Sequence, residues 1–149
     1  MQWDHSAPFI MDIIVTDGDT DRLGHTNNQV YLKWFEDISW LHVENNGMDW
    51  ARQEASGKSM AITRTEIDYL AASYVGEALK LGTWITHTDG RLLSTREFQL
   101  IRVQDEKVLV RAKSHYACID LKTGKPSRMP GFISDTLSNL CTHVKSHQN

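Results

Sequence analysis

One long helical stretch followed by four strand-like runs constrains this chain more than any other feature. The segment NQVYLKWFEDISWLHVENNG, from Asn28, sets Tyr31, Trp34, Phe35, Ile38 and Leu41 at helical spacing, so one face is apolar. Asn27 or Asn28 can cap its start, and Gly47 can end it. After Gly57 come SMAITRTEIDYLA, EALKLGTWITHTD, LSTREFQLIRVQ and KVLVRAKSHYACIDL, rich in Thr, Val, Ile and aromatic residues. The breaks between and after them, at Gly76, Gly90, Asp105 and Gly124, carry turn chemistry, and their shortness predicts an antiparallel meander. Upstream, FIMDIIVTD (Phe9 to Asp17) reads as a further strand. A short helix is expected over 49–55, and a terminal helix after Pro130, with Phe132, Leu137, Leu140 and Val144 as its apolar contacts. One main helix against one antiparallel sheet is an α+β architecture. Such a sheet keeps a face or an edge uncovered, and oligomerisation is the natural solution.

The chain has 149 residues, so one domain over 1–149 is expected. The formal net charge of -3 gives no electrostatic case for nucleic acid or anionic lipid as main partner. No apolar stretch approaches the roughly 18 residues of a membrane span. The two cysteines, Cys118 and Cys141, form no CxxC, and MQWDHSAPFI has no basic region ahead of an apolar run; a reduced, cytoplasmic protein is expected. Cys118 is expected in a strand and Cys141 in a helix, both as buried, inert thiols.

The chemistry concentrates in DGDTDRLGHTNN, Asp17 to Asn28. Asp17, Asp19 and Asp21 mimic the first ligands of a calcium loop, but Arg22 stands where its glycine belongs and Asn28 where its bidentate glutamate belongs. Asp, Gly and Asn also suit any strand-to-helix loop, which accounts for Asp17 to Asp19. Asp21 to Asn28 is a denser polar cluster, set directly before a helix start. The first turn of a helix presents free N–H groups and a partial positive charge, which stabilise an anionic oxygen. A carboxylate beside such an opening is the minimum apparatus for acyl transfer. No GxSxG nucleophile elbow is present. His143 and His147, four apart, have zinc-compatible spacing but no acidic partner of the HExxH kind, and no metal or cofactor is expected.

The motif DRLGHTNNQVYLKWFED (Asp21 to Asp37) resembles the signature of hot-dog-fold acyl-CoA thioesterases of the 4-hydroxybenzoyl-CoA thioesterase-like, YbgC-type branch. The matching positions are Asp21, Gly24, His25, Asn27, Asn28, Tyr31, Trp34, Phe35 and Glu36. A weaker match, AASYVGEALKL, has Glu77 where that family usually has aspartate. The resemblance implies a central helix wrapped by a curved antiparallel sheet of about five strands. It implies a homodimer joined edge to edge with interfacial active sites, or a homotetramer of such dimers. It assigns Asp21 as nucleophile or general base, with the N–H of Asn28 polarising the thioester carbonyl. His25 either assists there or holds the loop. Gly24, Asn27 and Tyr31 are carried as substrate-binding candidates, although Asn27 suits a helix cap and Tyr31, Trp34 and Phe35 suit the core. The implied substrate is a thioester of CoA or of an acyl-carrier protein. Arg91, Arg96, Arg102, Lys107, Arg111 and Lys113 form a basic set on the later strands, read mainly as solvated surface with some members available to CoA phosphates.

Two other readings use the same scaffold. Hot-dog hydratases resemble G-D-x-N-P-x-H, with aspartate five residues before histidine. Here Asp19 lies six before His25 and Asp21 four before, with no Asn-Pro between. A non-catalytic acyl-binding module would not need the carboxylate beside the helix start.

Overall fold

The computed structural model describes residues 1–142. The elements run β1 (Phe9–Ile14), α1 (Asn28–Glu44), α2 (Trp50–Ser56), β2 (Lys58–Tyr69), β3 (Ala78–Thr88), β4 (Leu93–Arg102), β5 (Val108–Asp120) and α3 (Gly131–Leu140). All strand pairings are antiparallel, in one five-stranded sheet of order β1-β3-β4-β5-β2. This is the α+β hot-dog architecture expected, with one correction. The meander holds for β3, β4 and β5, but β2 pairs with β5 rather than with its sequence neighbour β3. The segment 70–77 is therefore a crossing connection rather than a hairpin turn. Leu70 N–H and Ala71 N–H donate to Leu109 O at one end, and Gly76 N–H donates to Val15 O at the other.

The apolar stripe of α1 packs on the sheet. Tyr31, Trp34, Phe35 and Ile38 are buried against Ile13 of β1, Leu79 and Leu81 of β3, Phe98 and Leu100 of β4, and Val110 of β5. Leu41, expected on that stripe, is exposed; His42 is buried in its place. The line 31, 35, 38, 42 follows the 3.6-residue period onto the sheet, while residue 41 lies about 100° around the helix.

Around the far half of α1 a second cluster joins Val43 and Met48 to Ile85, Cys118, Ile133 and Leu137. Asp49 caps α2 by accepting from Arg52 N–H at 2.8 Å, and Gly57 ends it in the left-handed region at φ +73. In α3, Ile133 and Leu137 are buried and Phe132 and Leu140 are partly so; Val144, His143 and His147 lie outside the described residues. Cys141 is not helical but the extended residue that closes α3, bridging to Ile85, and both cysteines are free and buried. No helix among the described residues is long and apolar enough to cross a membrane.

Candidate active site

The stretch from Thr20 to Thr26 folds back on itself as a small hairpin. Thr20 bridges Thr26, and Asp21 N–H donates to His25 O at 2.8 Å. Gly24 makes the reversal, with φ +76 and its N–H on Asp21 O at 3.0 Å. Glycine is required there by conformation alone, since a β-carbon would meet nothing within 4 Å. The Asp21 carboxylate stands at the mouth of this turn. Its Oδ1 accepts from Leu23 N–H at 2.8 Å and His25 N–H at 3.3 Å, whereas its Oδ2 has no donor among the described residues. Asp21 is exposed.

A second segment holds the hairpin from behind. Thr26 N–H donates to Ser73 O at 2.9 Å, His25 bridges Tyr74, and the two rings meet edge-on at 5.1 Å. Ser73 is fully buried, and its hydroxyl joins Thr26 Oγ1 at 2.5 Å and Tyr31 Oη at 2.9 Å. Three hydroxyls thus tie the loop, the first turn of α1 and the 70–77 crossing together. Glu77 helps fix the same crossing, accepting from Tyr74 N–H at 2.8 Å and pairing with Arg102 at 3.3 Å. The acid in the second motif is thereby held in a structural ion pair.

The opening of α1 distributes its amides unequally. Asn27 N–H donates to Asp19 O at 2.8 Å, Gln29 N–H to the Asn27 side-chain oxygen at 3.0 Å, and Val30 N–H to Asn27 O at 2.9 Å. Asn28 N–H has no acceptor among the described residues. It opens the helix at the end where the dipole is positive. Asn27 is the N-cap. The Asn28 side chain is exposed and makes no hydrogen bond in the described structure. Asp19 is engaged locally, its Oδ2 accepting from Thr16 N–H and Oγ1. Among the described residues no cluster of three or more His, Cys, Asp or Glu could hold a metal ion.

Leu23 at the hairpin tip is 75% exposed, and Tyr69, Leu70, Tyr74 and Val75, on either side of Ser73, are exposed as well.

Farther along α1 lies a feature the motif does not contain. A cavity of about 340 Å³ runs between the helix, α2 and the sheet, with Glu36, Trp40, Ser59, Ser94, Arg96 and Tyr116 among its walls. None of Asp21, His25, Asn27, Asn28 or Tyr31 lines it. Arg96, read from sequence as part of a basic surface set, is 3% exposed. Its Nη1 donates to His42 Nδ1 at 2.9 Å and to Thr83 Oγ1 at 3.2 Å. Arginine has only donors, so His42 Nδ1 is the acceptor and its ring is neutral, with the proton on Nε2. Burial first, and the adjacent Arg96 second, push His42 down to about 4. Two further members of the basic set are committed elsewhere, Arg102 to Glu77 and Asp105 and Arg111 to Asp4.

The signal for Arg96 was present in the alternation of β4. Ser94, Arg96, Phe98 and Leu100 share the inward period-two face.

Residues 15–137 match the family model of the thioesterase-like superfamily, and the chain belongs to that superfamily. It is 26% identical over 120 residues to the long-chain acyl-CoA thioesterase FadM of Escherichia coli, covering 78% of this chain and 86% of that protein. Among solved structures, a DHNA-CoA thioesterase from Staphylococcus aureus superposes with TM-score 0.81 at 21% identity, covering 95% of each chain. SAV2348 from the same organism, solved in complex with CoA, gives TM-score 0.83 at 15% identity over 94% of this chain and 87% of its own.

Proposed function

We propose that the protein hydrolyses acyl-CoA thioesters, using Asp21 as nucleophile or general base and the opening of α1 to hold the carbonyl oxygen. The observation that carries this reading is the pairing of two unfilled groups. Among the described residues Asp21 Oδ2 lacks a donor and Asn28 N–H lacks an acceptor, and the hairpin and its cap fix both. The thioester oxygen gains negative charge as the carbonyl carbon is attacked, and an unclaimed amide at a positive helix end stabilises that charge. The carboxylate either attacks the carbon directly, releasing CoA thiolate and leaving a mixed anhydride that water cleaves, or takes a proton from the attacking water. Both routes consume one water and yield a carboxylic acid and a free thiol. His25 and Gly24 position the carboxylate through the backbone, while Asn27 caps the helix and Tyr31 anchors it through Ser73. Membership of the thioesterase-like superfamily and the likeness to FadM support acyl-CoA as the substrate class.

A homodimer fits the surface. Asp21 is exposed, and the long strand β2 is a free sheet edge carrying exposed Ile62 and Tyr69. Joining two β2 edges would bury that patch and enclose the site; sedimentation at the mass of one chain would remove this part of the proposal. The activity is tested by thiol release from aryl and straight-chain acyl-CoAs, with wild type and Asp21→Asn side by side. Hydrolysis by wild type that drops sharply in the variant is expected. Equal rates would take Asp21 out of the mechanism, and no thiol from any thioester would end the thioesterase reading.

A further inference from the structure

Arg96 raises a question that the Asp21 site does not answer. A guanidinium withdrawn from water costs several kcal/mol unless an anion and good hydrogen bonds compensate it. Among the described residues no carboxylate comes within ion-pair distance of Arg96. Its partners are neutral: His42, Thr83 and the facing Tyr116 hydroxyl. The two Nη1 donors are occupied by His42 and Thr83. Of the three remaining N–H groups, on Nε and Nη2, one can meet the Tyr116 hydroxyl, and the others have no acceptor among the described residues. Arg96 is part of the cavity wall and keeps only a trace of accessible surface. Nε and Nη2 together form the side-on fork that matches the two oxygens of a carboxylate.

The remaining walls suit an aliphatic chain leading to that fork. Trp40, Val43, Met48, Ile85 and Leu137 are apolar. Glu36 is the cavity's own carboxylate and is exposed on α1, so repulsion disfavours a second anion stopping beside it and favours the deeper position at Arg96. Glu36 lies eight residues beyond Asn28, which at the helical rise is about 12 Å down the axis from the open amide. An acyl chain of moderate length spans that distance.

We propose that this cavity receives the far end of the acyl group and that Arg96 selects acyl chains ending in a carboxylate, so that the preferred substrates are CoA monoesters of dicarboxylic acids. The selection rests on the thioesterase reading of the Asp21 site, whereas binding of the carboxylate at Arg96 does not. Two measurements separate them. In the first, kcat/KM is compared for pairs of straight-chain acyl-CoAs matched in length, with and without a terminal carboxylate, from hexanoyl to dodecanoyl. At the best-fitting length wild type favours the carboxylated member by about 10- to 100-fold, the range of a charge-assisted pair. Arg96→Met abolishes or reverses the preference, and Arg96→Lys, which keeps the charge but not the fork, retains part of it. In the second, free dicarboxylic acids of the same lengths are titrated into wild type and Arg96→Met by calorimetry. Binding that depends on Arg96, with no thioester hydrolysed, would overturn the thioesterase reading and leave the carboxylate site standing. Equal or better turnover of the uncarboxylated member at every length in wild type, or diacid binding indifferent to Arg96, overturns the proposal. The wild-type comparison alone decides it even if the variants do not fold.

Discussion

The two ends of α1 are built in opposite ways. At its N-terminus the site is local, contained in eight consecutive residues that fold into a hairpin and a cap, and it is open to solvent. Toward its C-terminus the cavity is assembled from α1, α2, four strands and α3, and its most charged wall is buried. Among the described residues the first end presents an acceptor on Asp21 and a donor on Asn28 without partners; the second presents Arg96 with more donors than its neutral neighbours accept. A chain that reacts at one end and is recognised at the other would feel both, and each end can be removed without touching the other.

The largest effect is expected at the open end. Asp21→Asn keeps an oxygen for the Leu23 and His25 amides but removes the charge, and turnover should fall by about 10²- to 10⁴-fold. The helix opening can be broken separately. Proline is favoured at the first helical position, where its missing N–H costs no helical hydrogen bond, and Asn27 already has the extended conformation (φ -65, ψ 136) that a residue before proline adopts. Asn28→Pro therefore deletes only the unclaimed donor. A loss of about 10²- to 10³-fold in kcat with an unchanged melting temperature is expected. Asn28→Ala, which keeps the amide, should stay near wild type. If proline and alanine gave the same rate, the carbonyl oxygen would not sit on this amide.

The closed end is probed by pH. His42 in the folded protein titrates at about 4, below its ordinary 6.5. The unfolded chain therefore binds this proton first. The stability conferred by neutral His42 is complete above about pH 6.5 and is lost as pH falls toward 4, amounting to about 3 kcal/mol. Asp105 and Asp120, each held at about 2 by hydrogen bonds from Arg102 and Lys58, lose their contributions only below that window. His42→Gln, whose side-chain oxygen can still accept from Arg96, should flatten the dependence between pH 6.5 and 4 in urea unfolding. Parallel curves for the two proteins would show that the imidazole beside Arg96 does not titrate as described.

The same contrast explains what could be read from the sequence. The local structure of the N-terminal candidate site was legible because its parts are adjacent: Asp21, Gly24, Asn27 and Asn28 are spaced by turn and cap chemistry, which is local. The helix and the strands were legible through their periods. The partner of β2 was not, because the residues that carry the 70–77 crossing, Ser73 above all, act through contacts more than forty positions away, with Thr26 and Tyr31. Arg96 was misread because charge was weighed above register. Its place between Ser94 and Phe98 on an alternating strand pointed inward, but the acceptor that makes burial tolerable, His42, lies on another element.

The smallest effect separates two adjacent asparagines that composition cannot tell apart. Asn27 accepts from Gln29 N–H and occupies a cap whose loss typically costs about 1 kcal/mol, so Asn27→Ala should lower stability by that amount. Its effect on turnover should be indirect. A freed Gln29 amide adds a second donor beside Asn28 N–H, while the looser cap blurs the position of both. Asn27→Asp keeps an acceptor and adds negative charge at the helix opening, which favours the helix but opposes an oxygen acquiring charge there. The two variants should therefore diverge, with alanine losing stability more than rate and aspartate losing rate more than stability. Chemical denaturation and thiol release on the same preparations test this. Joint loss of both properties in both variants would mean that the cap and the proposed oxyanion site cannot be separated at this helix end.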